Sequence, residues 1–368
     1  MSPQNPVPAR RKQAIQKALL KWYQANHRSL PWREDPQPYH VWVAEIMAQQ
    51  TRLDTVGPYY KAFLKRFPDP VCLAEAPLEA VLAAWSGLGY YRRARHLHQA
   101  AQVVVSQHDG RLPSDPQLLQ QLPGIGRYTA GAIASVAYGV PAPILDGNVL
   151  RLLSRLFDLD TNASTAAGKH QLWSLAEALV PTDSASNFNQ AMMEMGALVC
   201  TPRSPKCLDC PAKRLCHARR AGSVDERPVL PAPKRAKAQS VLAVRLRRKS
   251  NEALLMLRHP AMGLFAHMWS VPTWPPPWQM DGKAGPLPTN RQLQQKLGEL
   301  LGTSLTLGPI LKRLEHQLTH RRLIVTVREG VMESDAVKPE GYTAIRFVGK
   351  NDKLEQLGIS TLTRRILK

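Results

Sequence analysis

The chain has 368 residues, enough for two domains with cores of their own. Charged residues make up 21% and apolar residues 44%, which excludes global disorder, and no apolar run reaches the ~20 residues of a membrane helix. Lysine plus arginine number 49 against 28 aspartates and glutamates, a formal net charge of +21, which points to a polyanion and above all to nucleic acid.

The opening residues, through Arg11, are basic and proline-rich. No apolar segment follows them, so a secretory signal is not expected, and a cytoplasmic, nucleoid-associated location is. The cysteines number five, an odd count without an export signal, which favours metal or cluster ligation over disulfides.

Residues 12–221 read as helical, with apolar positions at three- and four-residue spacing, as in Ile15, Leu19, Trp22 and Tyr23. Breaks rich in proline or glycine fall at 36–38, 67–70, 87–89, 123–126 and 141–143. About ten short helices and little strand are expected. Glu45 stands in the apolar segment Val41-Trp42-Val43-Ala44-Glu45-Ile46-Met47. Desolvation there would raise its pKa and keep it protonated as a general acid; an exposed helix glutamate is the alternative. Cys72, isolated beside Leu73, reads as a packed core thiol.

Leu122-Pro123-Gly124-Ile125-Gly126-Arg127-Tyr128 separates two helical stretches. Gly124 and Gly126 permit positive φ and leave backbone N–H groups unshielded at the start of the next helix, a setting for phosphate; a tight packing turn is the alternative. Asp146 precedes an amphipathic helix with Val149, Leu152, Leu153 and Leu156. It reads as an N-cap, and equally as a carboxylate held ionised by backbone N–H groups before a developing cation. Cys200, Cys207, Cys210 and Cys216 form a C-x6-C-x2-C-x5-C array. Spacing alone admits zinc or a [4Fe–4S] cluster. Arg203, Lys206, Lys213, Arg214, Arg219 and Arg220 surround the array and suit phosphate contact or charge compensation.

Proline and basic residues mark 222–237 as an extended linker. Beyond it, Val241-Leu242-Ala243-Val244-Arg245-Leu246 and Leu323-Ile324-Val325-Thr326-Val327 alternate as strands, and 291–301 reads as a helix between them. Both halves of the chain carry excess basic residues.

The hairpin 122–126, Asp146-Gly147-Asn148-Val149 and the cysteine array together resemble the iron–sulfur branch of the helix-hairpin-helix DNA glycosylase superfamily, which includes endonuclease III. The resemblance implies a [4Fe–4S] cluster on the four cysteines. Bifunctional members carry a lysine where this chain has Tyr128. A phenol cannot form an imine, which implies base removal by water without efficient strand cleavage.

Leu30-Pro31-Trp32-Arg33, Val41 to Glu45, Gln49-Gln50-Thr51, Gly87-Leu88-Gly89-Tyr90-Tyr91, Ile144 to Val149 and Phe188-Asn189-Gln190 resemble the adenine DNA glycosylase (MutY) family, which removes adenine mispaired with 8-oxoguanine. This implies Glu45 as the acid on adenine N7 and Asp146 as the group steadying the sugar cation, with Asn148 and Tyr128 beside it. Arg33 and Gln190 line the flipped-base pocket, Gln50 and Tyr90 wedge the duplex, and Tyr91 belongs to the core.

Gly263 to Pro272 resembles a Nudix-like strand and loop, but helix 291–301 has only Glu299 where a Nudix hydrolase needs several glutamates for Mg²⁺. Thr319 and His320, after Leu318, stand where the family has Phe-Ser-His and implies 8-oxoguanine recognition. The expected architecture is a mainly α helix-hairpin-helix domain (1–221, iron–sulfur loop 200–216), a linker (222–237) and an α+β Nudix-like domain (238–368). The expected partner is double-stranded DNA with A:8-oxoguanine or A:G mispairs, met by a monomer with no membrane association. A glycosylase–lyase and a non-catalytic DNA-binding iron–sulfur protein are the competing readings.

Overall fold

The computed structural model describes residues 7–232, 236–276, 279 and 287–368. Pro233, Lys234 and Arg235 of the expected linker, and the first six residues, lie outside the described residues. The chain divides into two compact units, Met1–Ala74 with Gln99–Ala232 and Glu75–His98 with Pro233–Lys368. The grouping of Glu75–His98 with the C-terminal residues departs from the expected division at 221. Its cause is local packing: the Trp269 indole N–H donates to Glu79 Oε1 at 2.7 Å, and a Cβ on Gly358 would stand 2.9 Å from Leu82 Cβ.

Up to Ala221 the described residues hold thirteen α-helices and no strand. They are α1 (Ala9–Asn26), α2 (Pro31–Glu34), α3 (Pro38–Ala48), α4 (Leu53–Arg66), α5 (Pro70–Glu75), α6 (Leu78–Ala84), α7 (Arg92–Gln107), α8 (Pro116–Gln121), α9 (Arg127–Tyr138), α10 (Gly147–Phe157), α11 (Ala166–Leu179), α12 (Ala185–Leu198) and α13 (His217–Ala221). The breaks seen in the sequence fall between helices. Pro31, Pro38 and Pro116 open helices, where a missing N–H costs nothing and φ is already helical. Gly139 and Gly222 close α9 and α13 in left-handed conformation.

The core of the first unit centres on α12. Its Phe188, Ala191, Met192 and Met195 are buried against Ile15 and Leu19 of α1, Val149, Leu152, Leu153 and Leu156 of α10, and Leu172 and Leu175 of α11. Helix α9 is buried along Thr129–Val136 and packs against α3, α8 and α12. Residues 224–229 are not the free extended linker expected. Arg155 Nε donates to the carbonyls of Val224 and Arg227, Ala163 N–H donates to the Val229 carbonyl, and Arg227 pairs with Asp158 at 2.9 Å.

In the second unit the strands are β1 (Lys237–Arg248), β2 (Leu254–Arg258), β3 (Trp269–Ser270), β4 (Thr273–Trp274), β5 (Leu305–Gln317), β6 (Arg321–Met332) and β7 (Ala344–Val348). They form one sheet in the order β3-β2-β1-β6-β5, with β4 paired to β1 and β7 to β2. Strands β1 and β6 run parallel in unbroken register from Lys237↔Arg321 to Arg248↔Met332. The period-two alternation decides the two faces. Leu242, Val244 and Leu246 face Leu293, Leu297 and Leu301 of α14 (Asn290–Leu301). Val241, Ala243, Val325 and Val327 face Leu357, Ile359, Leu362 and Ile366, the last two on α15 (Thr361–Leu367). Helix α14 begins with a capping box between Thr289 and Gln292 and stops at Gly302, φ 62°. The unit is α+β, as expected.

Candidate active site

A cleft of about 660 Å³ opens in the first unit. Glu45, Tyr128, Asp146, Asn148, Arg33, Gln190 and Gln50, seven residues singled out from the sequence, all line it. They come from α2, the end of α3, the start of α9, the start of α10 and the middle of α12, so the packing of those helices makes the site.

Glu45 rides on α3 among buried neighbours and turns its carboxyl to the cleft wall. The Tyr128 hydroxyl donates to its Oε2 at 2.6 Å and also lies 3.4 Å from Met193 Sδ. Burial pushes the Glu45 pKa up to about 7; the phenol opposes this, the Asp146 charge adds to it, and Arg33 opposes it. The exposed-glutamate alternative is thereby set aside. Burial, then the charges of Glu45 and Asp146, hold the Tyr128 phenol far above its ordinary pKa, so it stays a neutral donor.

Asp146 is the N-cap of α10. Its Oδ1 accepts from the Val149 N–H at 2.7 Å and its Oδ2 from Asn148 Nδ2 at 2.9 Å. Burial outweighs these bonds, and its pKa lies above the ordinary value rather than being held down. The bonds still fix the carboxylate. Arg151 extends the arrangement: it donates to Asn148 Oδ1 at 2.9 Å, to the Gly196 carbonyl at 2.7 Å and to the Cys200 carbonyl at 2.7 Å. Gly196 makes this possible, since a Cβ there would stand 2.6 Å from Asn148 Cβ.

Arg33 and Gln190 enter the cleft on different supports. Arg33 Nη2 pairs with Glu194 Oε2 at 2.9 Å, and Arg28 donates to the same carboxylate from Nε at 2.8 Å, from Nη2 at 3.0 Å and from its backbone N–H. These donors overcome burial and hold Glu194 down at about 2. Gln190 is buried on α12, its Nε2 donating to Ser186 Oγ at 3.3 Å. Sequence reasoning missed Arg28, Arg151, Glu194 and Gly196. The signal for Glu194 was present: like Glu45, it interrupts an apolar helix run, Ala191-Met192-Met193-Glu194-Met195.

The hairpin joins α8 to α9. Gly124 takes φ 80°, as expected of it. Gly126 does not; it is extended, φ −91°, and serves as the N-cap of α9. Its lack of a side chain leaves the first turn of α9 open. Gln50 (φ 57°) and Tyr90 (φ 49°) both adopt left-handed conformation, rare for such residues, and both are exposed. Tyr91 is buried, as expected. Cys72 is exposed, not a core thiol: α5 turns it to solvent, where its N–H is bound by Asp69. In the second unit Thr319 and His320 occupy the exposed tip between β5 and β6. The Leu318 N–H closes the turn on the Arg321 carbonyl at 2.8 Å, and the Leu318 side chain packs on the core beneath.

Cys200, Cys207, Cys210 and Cys216 line one small cavity, with Arg155 and Arg219 in its wall. Burial pushes the thiols of Cys207, Cys210 and Cys216 upward, Cys210 to about 11. Arg155 is only 2% exposed. It donates to the Thr201 and Pro202 carbonyls and lies 3.5 Å from Cys200 Sγ, and among the described residues no carboxylate pairs with it. A buried guanidinium facing four thiols suits a group that makes those thiols anionic. No three His, Cys, Asp or Glu side chains among the described residues close on one point. Four cysteine thiols around one cavity are a donor set that fits a [4Fe–4S] cluster, as it would fit zinc.

Residues 43–178 match the family model of the HhH-GPD superfamily of base excision DNA repair proteins. A solved thermostable thymine-DNA glycosylase is 29% identical and covers 58% of this chain and 98% of its own, with a TM-score of 0.53. The helical part thus has the fold of a helix-hairpin-helix DNA glycosylase. The human adenine DNA glycosylase is 36% identical over 84% of this chain and 66% of its own length; the mouse one is 45% identical over 56% and 42%. The chain belongs to the adenine DNA glycosylase (MutY) family within that superfamily, and it spans about two thirds or less of the length of these relatives.

Proposed function

We propose that the chain removes adenine mispaired with 8-oxoguanine or guanine from double-stranded DNA, by hydrolysis of the N-glycosidic bond and without cutting the strand. The observation that carries this is a carboxyl, Glu45, poised near neutrality by burial under a neutral phenol, in one cleft with the N-capped Asp146. Glu45 in its acid form donates its proton to adenine N7, so the base leaves neutral rather than as an anion. Asp146, fixed by Asn148 and the Val149 N–H, faces the oxocarbenium-like sugar, to which water then adds, its released proton restoring the acid form of Glu45. The use of two carboxyls in opposite states extends the chemistry of sugar–sugar cleavage to a sugar–base bond. Arg33 and Gln190 line the space for the flipped base, and Tyr128 has no amine to trap the sugar.

Gln50 and Tyr90 enter the stack, their strained backbones holding exposed tips outward. Gly124 and Gly126 admit a phosphate to the start of α9. Thr319 and His320 read the base opposite adenine. Cys200, Cys207, Cys210 and Cys216 hold a [4Fe–4S] cluster, whose chemistry is that of a fourfold clamp on the basic loop. The protein acts as a monomer where DNA is, in the cytoplasm at the nucleoid.

The test is a duplex with one A:8-oxoguanine mispair. Adenine release with an intact strand until base or heat is applied is the expected result. Borohydride cross-linking and nicking by the unaltered protein would make it a glycosylase–lyase, and binding without release would make it a non-catalytic protein. Tyr128→Lys is expected to introduce cross-linking.

A further inference from the structure

The loop that carries Tyr90 is built inside the second unit. Gly87 (φ 115°), Gly89 (φ 74°) and Tyr90 (φ 49°) bend it sharply, and Tyr90 is 47% exposed at its tip. An internal clamp shapes the tip. The Trp85 indole N–H donates to the Gly89 carbonyl at 3.2 Å, and Arg93 Nη2 donates to that carbonyl at 3.2 Å. The Arg93 guanidinium lies 5.5 Å from the centroids of both the Trp85 and Tyr90 rings.

The base of the loop is held by something else. Ser86 Oγ donates to the Ile359 carbonyl at 2.7 Å, and the Tyr91 hydroxyl donates to the same carbonyl at 3.3 Å. One carbonyl thus takes a hydroxyl from each end of the loop, filling both its lone pairs. Each hydroxyl also accepts: Ser86 Oγ from Arg364 Nε at 3.2 Å and Tyr91 from the Gly87 N–H at 3.3 Å. Both side chains are buried. Ile359 itself is fixed by bridging to Trp269, whose N–H donates to the Gly358 carbonyl at 2.9 Å.

We infer that segment 358–364 is a brace for the Tyr90 loop, with Ser86, Tyr91 and Arg364 as positioning residues for the wedge. The C-terminal part of the chain that carries Thr319 and His320 then also sets the wedge. Ordinary packing would need apolar contact only; two buried hydroxyls aimed at one carbonyl from either side of a strained loop fix its angle instead. The inference rests on the proposed reading that Tyr90 enters the duplex.

A double-mutant cycle on the full chain tests it. Ser86→Ala with Tyr91→Phe removes both hydroxyls and keeps the ring. The readouts are affinity for a duplex with one A:8-oxoguanine mispair, and fluorescence of 2-aminopurine stacked beside it. With Tyr90 present, affinity and the fluorescence rise should both fall about tenfold, the equivalent of two buried hydrogen bonds. In a Tyr90→Ala chain the same pair should change neither. Equal loss in both backgrounds, no loss in either, or a Tyr90→Ala chain indistinguishable from the unaltered one would overturn the brace. If the pair does not fold, Tyr91→Phe alone carries the cycle. Absence of adenine release from the unaltered chain would overturn the glycosylase reading separately, since neither readout needs base release.

Discussion

The catalytic cleft and the cysteine loop both bury charge, and they balance it by different means. In the cleft Glu194 has Arg28 and Arg33, and Asp146 has Asn148 and the Val149 N–H. Glu45 is the exception: its hydrogen-bond partner is a neutral phenol rather than a cation, and burial lifts it to near neutrality. Two glutamates in equally apolar helix runs therefore end at about 7 and about 2. Burial raises both; the two arginines overcome it at Glu194, and the single phenol does not at Glu45. In the cysteine loop, Arg155 has carbonyls and thiols around it and no carboxylate among the described residues. Carboxylates balance the guanidinium groups of Arg28 and Arg33 in the cleft, whereas Arg155 in the loop rests on carbonyls and thiols.

The largest expected effect breaks the cleft at its exception. Glu45→Gln keeps size and hydrogen bonding but has no proton to give, and single-turnover adenine release should slow by about 10²–10⁴-fold while mispair binding persists. Full activity would remove Glu45 from the role of acid. Next comes Glu194→Gln, which strips the anion from Arg28 and Arg33. Breaking such a buried pair costs about 3–5 kcal/mol, readable by denaturant unfolding, and the released Arg33 should weaken base release as well. Unchanged stability would mean that the network is solvated.

The same two glutamates predict opposite pH behaviour. Glu45 has its pKa raised to about 7 from 4.5, so its acid form, and the rate, should fall as pH rises through about 7, approaching tenfold per pH unit. Its contribution to stability is fully present below 4.5 and is lost as pH rises through about 7. Glu194, lowered to about 2, contributes stability above 4.5 that is lost as pH falls toward about 2. A rate–pH profile with no descending limb near 7, or one unchanged in Glu45→Gln, would contradict the assignment.

Motifs with fixed spacing were legible in the sequence: the hairpin, the cysteine array, Asp146 as an N-cap and the alternating strands β1 and β6. Partnerships across long separations were not. Nothing local tells that Glu194 meets Arg28 and Arg33, since the pairing depends on how α12 packs on the segment before α2. The cap of Asp146 is local and legible; the burial that raises its pKa above the ordinary value is not. Both glycines of the hairpin permit positive φ, and only Gly124 uses it, since glycine permits that conformation without requiring it. Cys72 was read as buried from one apolar neighbour, and the turn of α5 points it outward. The grouping of Glu75–His98 with the sheet has no sequence signature, because a carbonyl such as that of Ile359 carries none.

The smallest expected effect is the sharpest test of the comparison, because it changes sign. Arg155→Met keeps much of the side-chain volume and removes the charge. With iron and sulfide bound, the loss of that cation and of its bonds to Thr201, Pro202, Val224 and Arg227 should destabilise the protein by about 1–3 kcal/mol. The visible absorbance of the cluster should also bleach faster under a chelator. After the metal is removed, burial favours the protonated thiols of Cys207, Cys210 and Cys216, and Arg155 is left as a buried cation with fewer anions near it. There the substitution should be neutral or stabilising, as when an uncompensated buried charge is replaced by an apolar group. Paired unfolding curves of the loaded and stripped forms measure the crossover. Parallel losses in both forms would show that carbonyls alone satisfy Arg155. Stoichiometric zinc without iron or sulfide in anaerobically prepared protein would replace the cluster by a single ion, and Cys72→Ser should leave the metal content unchanged in either case.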